Sequence, residues 1–327
     1  MSSGGNKFPS PIGGIPFPHD FAPALFFTIL YAVTVHVAAY RMISKRSRTL
    51  VLIATTIFCV ERVADFAIRA AEAKEPNIRT TKFFVGWLQS AYAMGYLSTT
   101  GDLLNISRMF ILQTTKGTSL TVQLPPSDRF SPRMEEEQPL TATRPDNATS
   151  SFTKLPMTDQ EEFEDEPKLR ATIERIGLVT LVLRLNAIAL AAVSGGIYFN
   201  GVTSASQANI VQITRYASAI IVLFLQLSAL GVVLWALSMR PHRTPRGPAL
   251  YLCSIVGVIM LTTIYRLAAM DNHTTSLTAM GPGSLNGPTA KALFYIFHVA
   301  PEWLSVAMLL AVNVREVYHV PAGLKFH

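Results

Sequence analysis

Apolar residues fall in seven runs along the chain: Phe21 to Tyr40, Leu50 to Ala71, Phe83 to Leu112, Ile176 to Phe199, Tyr216 to Leu237, Ala249 to Met270 and Ala292 to Val314. Each reaches the roughly 20 residues that cross about 30 Å of hydrocarbon at about 1.5 Å per residue, so each predicts a transmembrane helix. The third exceeds one crossing and predicts a helix that tilts or projects past the bilayer. The expected fold class is all-α, a polytopic bundle of seven transmembrane helices. Composition agrees with this, because 50% of the 327 residues are hydrophobic and only 15% are charged.

The distribution of Lys and Arg sets the expected orientation, since short basic loops resist translocation. Arg41, Lys45, Arg46 and Arg48 follow the first run, Arg240, Arg243 and Arg246 the fifth, and Arg315 and Lys325 the seventh. The opposite loops are poorer in basic residues: Asn200 to Asn209 and Asp271 to Ala290 have none, Arg215 lies only at the rim of the fifth run, and Lys74, Arg79 and Lys82 follow the second. The N-terminus is therefore expected outside and the C-terminus in the cytoplasm. Residues 1–20 read as an extracellular disordered N-terminus, Gly/Pro-rich and without the apolar region of a cleavable signal peptide. Residues 21–112 hold helices one to three, 171–314 helices four to seven, and 315–327 a cytoplasmic tail.

Between them, residues 113–170 read as a disordered acidic cytoplasmic loop, with Pro125-Pro126, Ser131-Pro132 and the run Glu161 to Glu166. It is either a regulatory segment for a cytoplasmic partner or a tolerated insertion. Two sequons lie outside the apolar runs. Asn147 falls on the cytoplasmic side, whereas Asn272 lies in an outer loop and is the candidate for glycosylation.

Charged residues inside the runs are the most informative. Glu61, Arg62, Asp65 and Arg69 turn into one sector of about a quarter-turn. Ionisable groups cost roughly 2.5 to 3.5 kcal/mol each at mid-membrane, so this stripe is expected to face the bundle interior. A matching stripe on the seventh run carries His298, Glu302, Ser305 and Asn313, with Pro301 expected to kink the helix there. The third run adds Asp102, and the fourth adds Arg184, roughly 12 Å deep by the helical rise. The expected pairs are Arg184 with Asp102, and Glu61 or Arg62 with His298 and Glu302.

Such an interior fits a translocation path or headgroup site for membrane lipids or an amphiphilic small molecule. It also fits a ligand-driven two-state receptor or a static set of interhelical ties. Enzyme classes find little support. Only His36 and His298 lie in helices, too few for a zinc site with three protein ligands. The seventh run has no central Lys for a Schiff base, Lys291 lying at its outer rim. Gly281-Pro282-Gly283 is a turn rather than a phosphate cradle. No enzyme activity, cofactor or metal is expected. Cys59 and Cys253 both lie in helices, which predicts no extracellular disulfide. The net charge of +7 is accounted for by topology and not by nucleic-acid binding.

Tyr265-Arg266 ends the sixth run, and Phe294-Tyr295-Ile296-Phe297-His298-Val299-Ala300-Pro301 opens the seventh. Together they make the chain resemble the RTA-like family of fungal seven-helix lipid-translocating exporters. In that family the first segment is an aromatic-Arg pair and the second reads aromatic-Tyr-x-Phe-Asp-x-x-Pro. Here His298 stands where the family has the acid, and Glu302 supplies a carboxylate one turn on. Glu61 and Arg69 echo a Glu and an outer Arg of the family's second helix, with spacing off by one. Lys291 stands where the family tends to have Glu. Ser194-Gly195-Gly196 and Gln226 are looser echoes.

The resemblance implies a plasma-membrane protein that exports lipids or amphiphiles of sphingoid-base or sterol-like type, or confers related stress resistance. The alternative is a seven-helix receptor or sensor of G-protein-coupled type. In the export reading Glu61 and Glu302 accept a cation or hydroxyl, His298 is a donor or pH-sensitive partner, and Arg266 is an outer anchor for anionic groups.

Overall fold

A computed structural model describes residues 6–117 and 163–321 of the chain. The middle of the expected acidic loop, with Asn147, and the last residues of the tail lie outside the described residues.

Among the described residues the chain is almost entirely helical. Its long helices are α1 (Phe21–Ile43), α2 (Ile53–Lys74), α3 (Lys82–Thr114), α4 (Pro167–Gly196), α5 (Ala205–Met239), α6 (Arg246–Ala269) and α7 (Pro288–Ala311). Five of them, α1, α4, α5, α6 and α7, are long and apolar enough to cross a membrane. These mark the chain as an all-α membrane protein. α2 and α3 are as long, but α2 carries Glu61, Arg62, Asp65 and Arg69, and α3 is rich in Tyr, Ser, Thr and Gly.

α3 lies inside the bundle, and the charged face of α2 turns inward. α3 packs on α2, α4, α5 and α6, while α1 covers α2 and also touches α7. α4 has the opposite character, with Leu178, Val179, Val182 and Leu185 all exposed on an apolar outer face. Polar residues therefore collect where helices surround them, and Leu, Val and Ile face outward, as a bilayer requires.

α7 changes pitch in its first half. Tyr295–Val299 forms a π-helical turn in which the Ala300 N–H reaches back to the Tyr295 carbonyl. Pro301 follows immediately and has no N–H to continue the ordinary ladder. Beside Pro301, where a kink is expected, the helix makes this π-helical turn.

Two boundaries differ from expectation. α4 begins at Pro167 rather than Ile176, and α5 at Ala205 rather than Tyr216. The added turns are polar but contain good helix formers such as Lys168, Leu169, Arg170, Ala171 and Gln207. An apolar run marks what can sit in lipid, whereas helix propensity extends beyond it.

The N-terminal expectation needs a larger correction. From residue 6 onward the segment is packed rather than free, with Phe8, Ile12 and Ile15 buried. Phe8–Pro9 (β1) pairs antiparallel with His273–Thr274 (β2), in register Phe8 with Thr274 and Pro9 with His273. The Gly/Pro content that reads as disorder here shapes a tight path across the end of the bundle, and the intervening Phe and Ile supply its apolar contacts.

The opposite end is tied by its basic residues. Arg41 donates to the Leu310 and Ala311 carbonyls at the C-terminus of α7, where orphan acceptors await donors. Glu166, at the end of the acidic run, pairs with Arg240 and with Arg243. This stretch of the expected disordered loop is therefore anchored.

Candidate functional site

Two layers of buried charge run through the bundle. The deeper one centres on Arg62 of α2, which is fully buried. Its Nε donates to Glu302 Oε2 at 3.1 Å and its Nη2 to Oε1 at 3.2 Å, while Nη1 donates to Asp65 Oδ2 at 2.8 Å. Asp65 is completed by Trp87 of α3, whose Nε1 donates to Oδ1 at 2.8 Å. The guanidinium carbon also lies 4.7 Å from the Phe58 ring centroid and 5.4 Å from that of Tyr92. Gly95 makes this approach possible, because a Cβ there would stand 2.1 Å from Arg62 Nη2.

His298 lies beside this cluster with its Nδ1 3.8 Å from Glu302 Oε1, too far for a hydrogen bond. It is fully buried, and neither ring nitrogen has a hydrogen-bond partner among the described residues. Aromatic rings hold it from three directions, Phe294 at 5.1 Å, Tyr92 at 5.8 Å and Tyr265 at 6.0 Å between centroids. The hydroxyls of Tyr92 and Tyr31 are likewise buried without partners. Apart from such cases, buried polar atoms in proteins are almost always paired.

Several expected site residues sit elsewhere. Glu61 is only half-buried and has no hydrogen bond or ion pair among the described residues, because the turn from Arg62 carries it to the edge of the stripe. Arg184 and Asp102 do not form the expected ion pair. Asp102 Oδ2 instead accepts from the Thr55 N–H at 2.9 Å and the Thr55 hydroxyl at 2.7 Å. The Arg184 guanidinium lies flat on Gly101, where a Cβ would stand 2.0 Å from its Cζ. Arg266 is not an exposed outer anchor. It is buried, donates to the Tyr92 carbonyl and lies 5.0 Å from the Tyr96 ring centroid, its Nε left without a hydrogen-bond partner among the described residues. Asn272 is half-buried with its amide donating to the Ala269 carbonyl, and Thr274 of the same sequon is buried in β2.

The second layer lies under the N-terminal segment. Asp20 accepts from Arg69 at 2.9 Å, from Lys291 at 2.8 Å and from the Tyr295 hydroxyl at 3.2 Å. Arg215 donates to Gln89 Oε1 at 2.6 Å and to the Ser10 carbonyl at 3.2 Å. Gln89 in turn holds Ile12 through both its backbone N–H and its carbonyl. Sequence reasoning places Lys291 and Arg215 at helix rims and passes over Asp20 and Gln89. The only available signal is that Asp20 directly precedes an apolar run.

Chemically, the deeper layer offers a fixed ion pair next to an imidazole with both nitrogens free to accept or donate. Among the described residues no group of three His, Cys, Asp or Glu side chains is placed to hold a metal ion. Comparison with family models, with curated proteins and with solved structures returns no match for this chain.

Proposed function

We propose that the protein binds and translocates an amphiphile, with His298 and the Arg62–Glu302 pair as the polar site for its head group. The observation that carries this reading is His298, buried with two unpartnered nitrogens beside a desolvated ion pair. Leaving a polar group so placed costs roughly 1 to 3 kcal/mol. A hydroxyl or amine of a ligand would satisfy the imidazole, while its chain lies among the rings of Phe294, Tyr92 and Tyr265. All seven long helices cross the membrane in this reading, with the N-terminus outside and the C-terminus in the cytoplasm of a plasma-membrane protein. The basic residues after α1, α5 and α7 support that orientation.

The resemblance to the RTA-like family rests on Tyr265-Arg266 and on Phe294 to Pro301, and it directs the substrate class to sphingoid-base or sterol-like amphiphiles. In this chain those two segments meet at His298, which stacks on Tyr265 and lies on the Phe294 ring. The deciding experiment is efflux of labelled sphingoid base from cells lacking or overexpressing the protein, with Glu302→Gln as the control. Efflux that follows expression and is lost in the variant supports the proposal, and efflux indifferent to both overturns it.

A receptor remains the second reading, favoured by the continuous tie from Glu302 through Arg62 and Asp65 to Trp87, which joins α7, α2 and α3. A ligand that moves one of these helices would move all three.

A further inference from the structure

The Gly13 carbonyl oxygen accepts from two full cations at once, Arg69 Nη2 at 2.6 Å and Lys291 Nζ at 2.9 Å. Lys291 also donates to the Ile15 carbonyl at 2.5 Å, and Arg69 to the Gly14 carbonyl at 3.4 Å. Both cations are buried, and the one carboxylate they hydrogen-bond is Asp20, which they share. Glu72, one turn beyond Arg69, is buried too and lies within electrostatic reach of both, but neither of its carboxylate oxygens has a hydrogen-bond partner among the described residues. Two buried basic side chains thus converge on a neutral oxygen, a point where an anionic oxygen would add charge–charge attraction to both hydrogen bonds.

The segment that supplies this oxygen is fitted as a ligand would be. Gly13 and Gly14 have φ of +73° and +61°, conformations that glycine adopts without strain. A Cβ at Gly13 would stand 2.8 Å from the Phe294 ring, and one at Gly14 2.4 Å from the Leu285 carbonyl oxygen. Phe294 is also the ring that borders His298, so the tip of the segment packs on the same ring as the deeper layer.

We propose that the recess beneath Gly13 is an oxyanion-binding site built from Arg69 and Lys291, and that the chain's own N-terminal segment is its resident occupant. The ligand is a phosphate group, either free or as the head of a single-chain amphiphile. It displaces the segment and puts an anionic oxygen where the Gly13 carbonyl lies, retaining both donors. The inference goes beyond amphiphile transport, and it is measured by equilibrium binding, so neither result decides the other.

The test uses the full chain in lipid nanodiscs with Phe8→Cys and Thr274→Cys, partners in the β1–β2 pair. A disulfide between them pins the segment, and reduction frees it in the same protein, which controls for folding. Binding of radiolabelled dodecyl phosphate is measured in both states, with dodecanol and inorganic phosphate as competitors. The proposal predicts binding at least tenfold tighter in the reduced state, a similar loss on adding Lys291→Gln, and no competition by dodecanol. Competition by inorganic phosphate assigns the site to the free anion; absence of it, with the Lys291 dependence retained, assigns it to the amphiphile head. Equal binding in the two redox states, no effect of Lys291→Gln, or equal competition by dodecanol overturns the proposal.

Discussion

Arg62 and Glu302 are 240 residues apart in sequence and meet through two hydrogen bonds, from Nε and Nη2, at the centre of the molecule. Both are fully desolvated, so their attraction is not diluted by water. Breaking such a pair from one side leaves a buried charge uncompensated, which typically costs about 3 to 5 kcal/mol.

Arg62→Met is therefore expected to destabilise the protein by that order, because it strands both Glu302 and Asp65. Adding Glu302→Gln and Asp65→Asn to it removes the stranded charges, and much of the lost stability should return. Thermal unfolding in detergent across this series is the check; strictly additive losses would mean that the three groups do not act as a unit.

Gly95→Ala and Gly86→Ala form a matched pair on α3. At Gly95 a Cβ meets Arg62 Nη2 at 2.1 Å and Phe58 at 2.6 Å, whereas at Gly86 nothing lies within 4 Å. The first substitution should cost about 1 to 3 kcal/mol through overpacking. The second should be neutral, or gain up to about 1 kcal/mol from helix propensity. Comparing the two melting temperatures separates the clash from any general intolerance of alanine in α3.

At the opposite end, the hydrogen bond from Arg46 to Glu316 holds the Glu316 carboxyl below its usual range, with the Arg46 charge acting in the same direction. A carboxyl whose folded value is depressed contributes stability above its unfolded value, and that contribution fades as pH falls through the folded one. Both side chains are exposed, so water and salt screen the pair and its effect on stability is small. Arg46→Ala should raise the Glu316 titration midpoint, read by NMR of labelled glutamate, while leaving the melting temperature at neutral pH unchanged.

Much of the interior is legible in the sequence. Period and charge place Arg62 and Asp65 on one face of α2 and His298 and Glu302 on one face of α7, and the cost of charge in lipid turns those faces inward. That Arg62 rather than Glu61 meets Glu302 follows from a rotation of one residue, about 100°, which the apolar pattern leaves open. Arg184 and Asp102 sit at similar depths by counting, yet depth says nothing of direction, and Thr55 satisfies Asp102 from the neighbouring helix. The N-terminal layer is the least legible part. Besides Asp20 and Gln89, its partners are backbone carbonyls of Ser10, Gly13, Gly14 and Ile15, which every residue type carries, so composition gives no sign of them.

If the interior binds a head group, His298 is the residue that separates it from a merely cohesive one. A residue kept for cohesion would be expected to have partners, and interhelical hydrogen bonds in membranes contribute about 0.6 kcal/mol on average. With neither nitrogen paired among the described residues, His298→Phe keeps the ring packing against Tyr92, Tyr265 and Phe294 and removes an unsatisfied group. It should leave stability unchanged or raised by up to about 1 to 3 kcal/mol.

The most direct measurement is therefore sphingoid-base efflux through purified His298→Phe protein in proteoliposomes, alongside its melting temperature. A protein at least as stable as the parent with efflux reduced tenfold or more is the result expected of a head-group site. Parental efflux from an equally stable variant would contradict it and leave the buried charges as ties between helices.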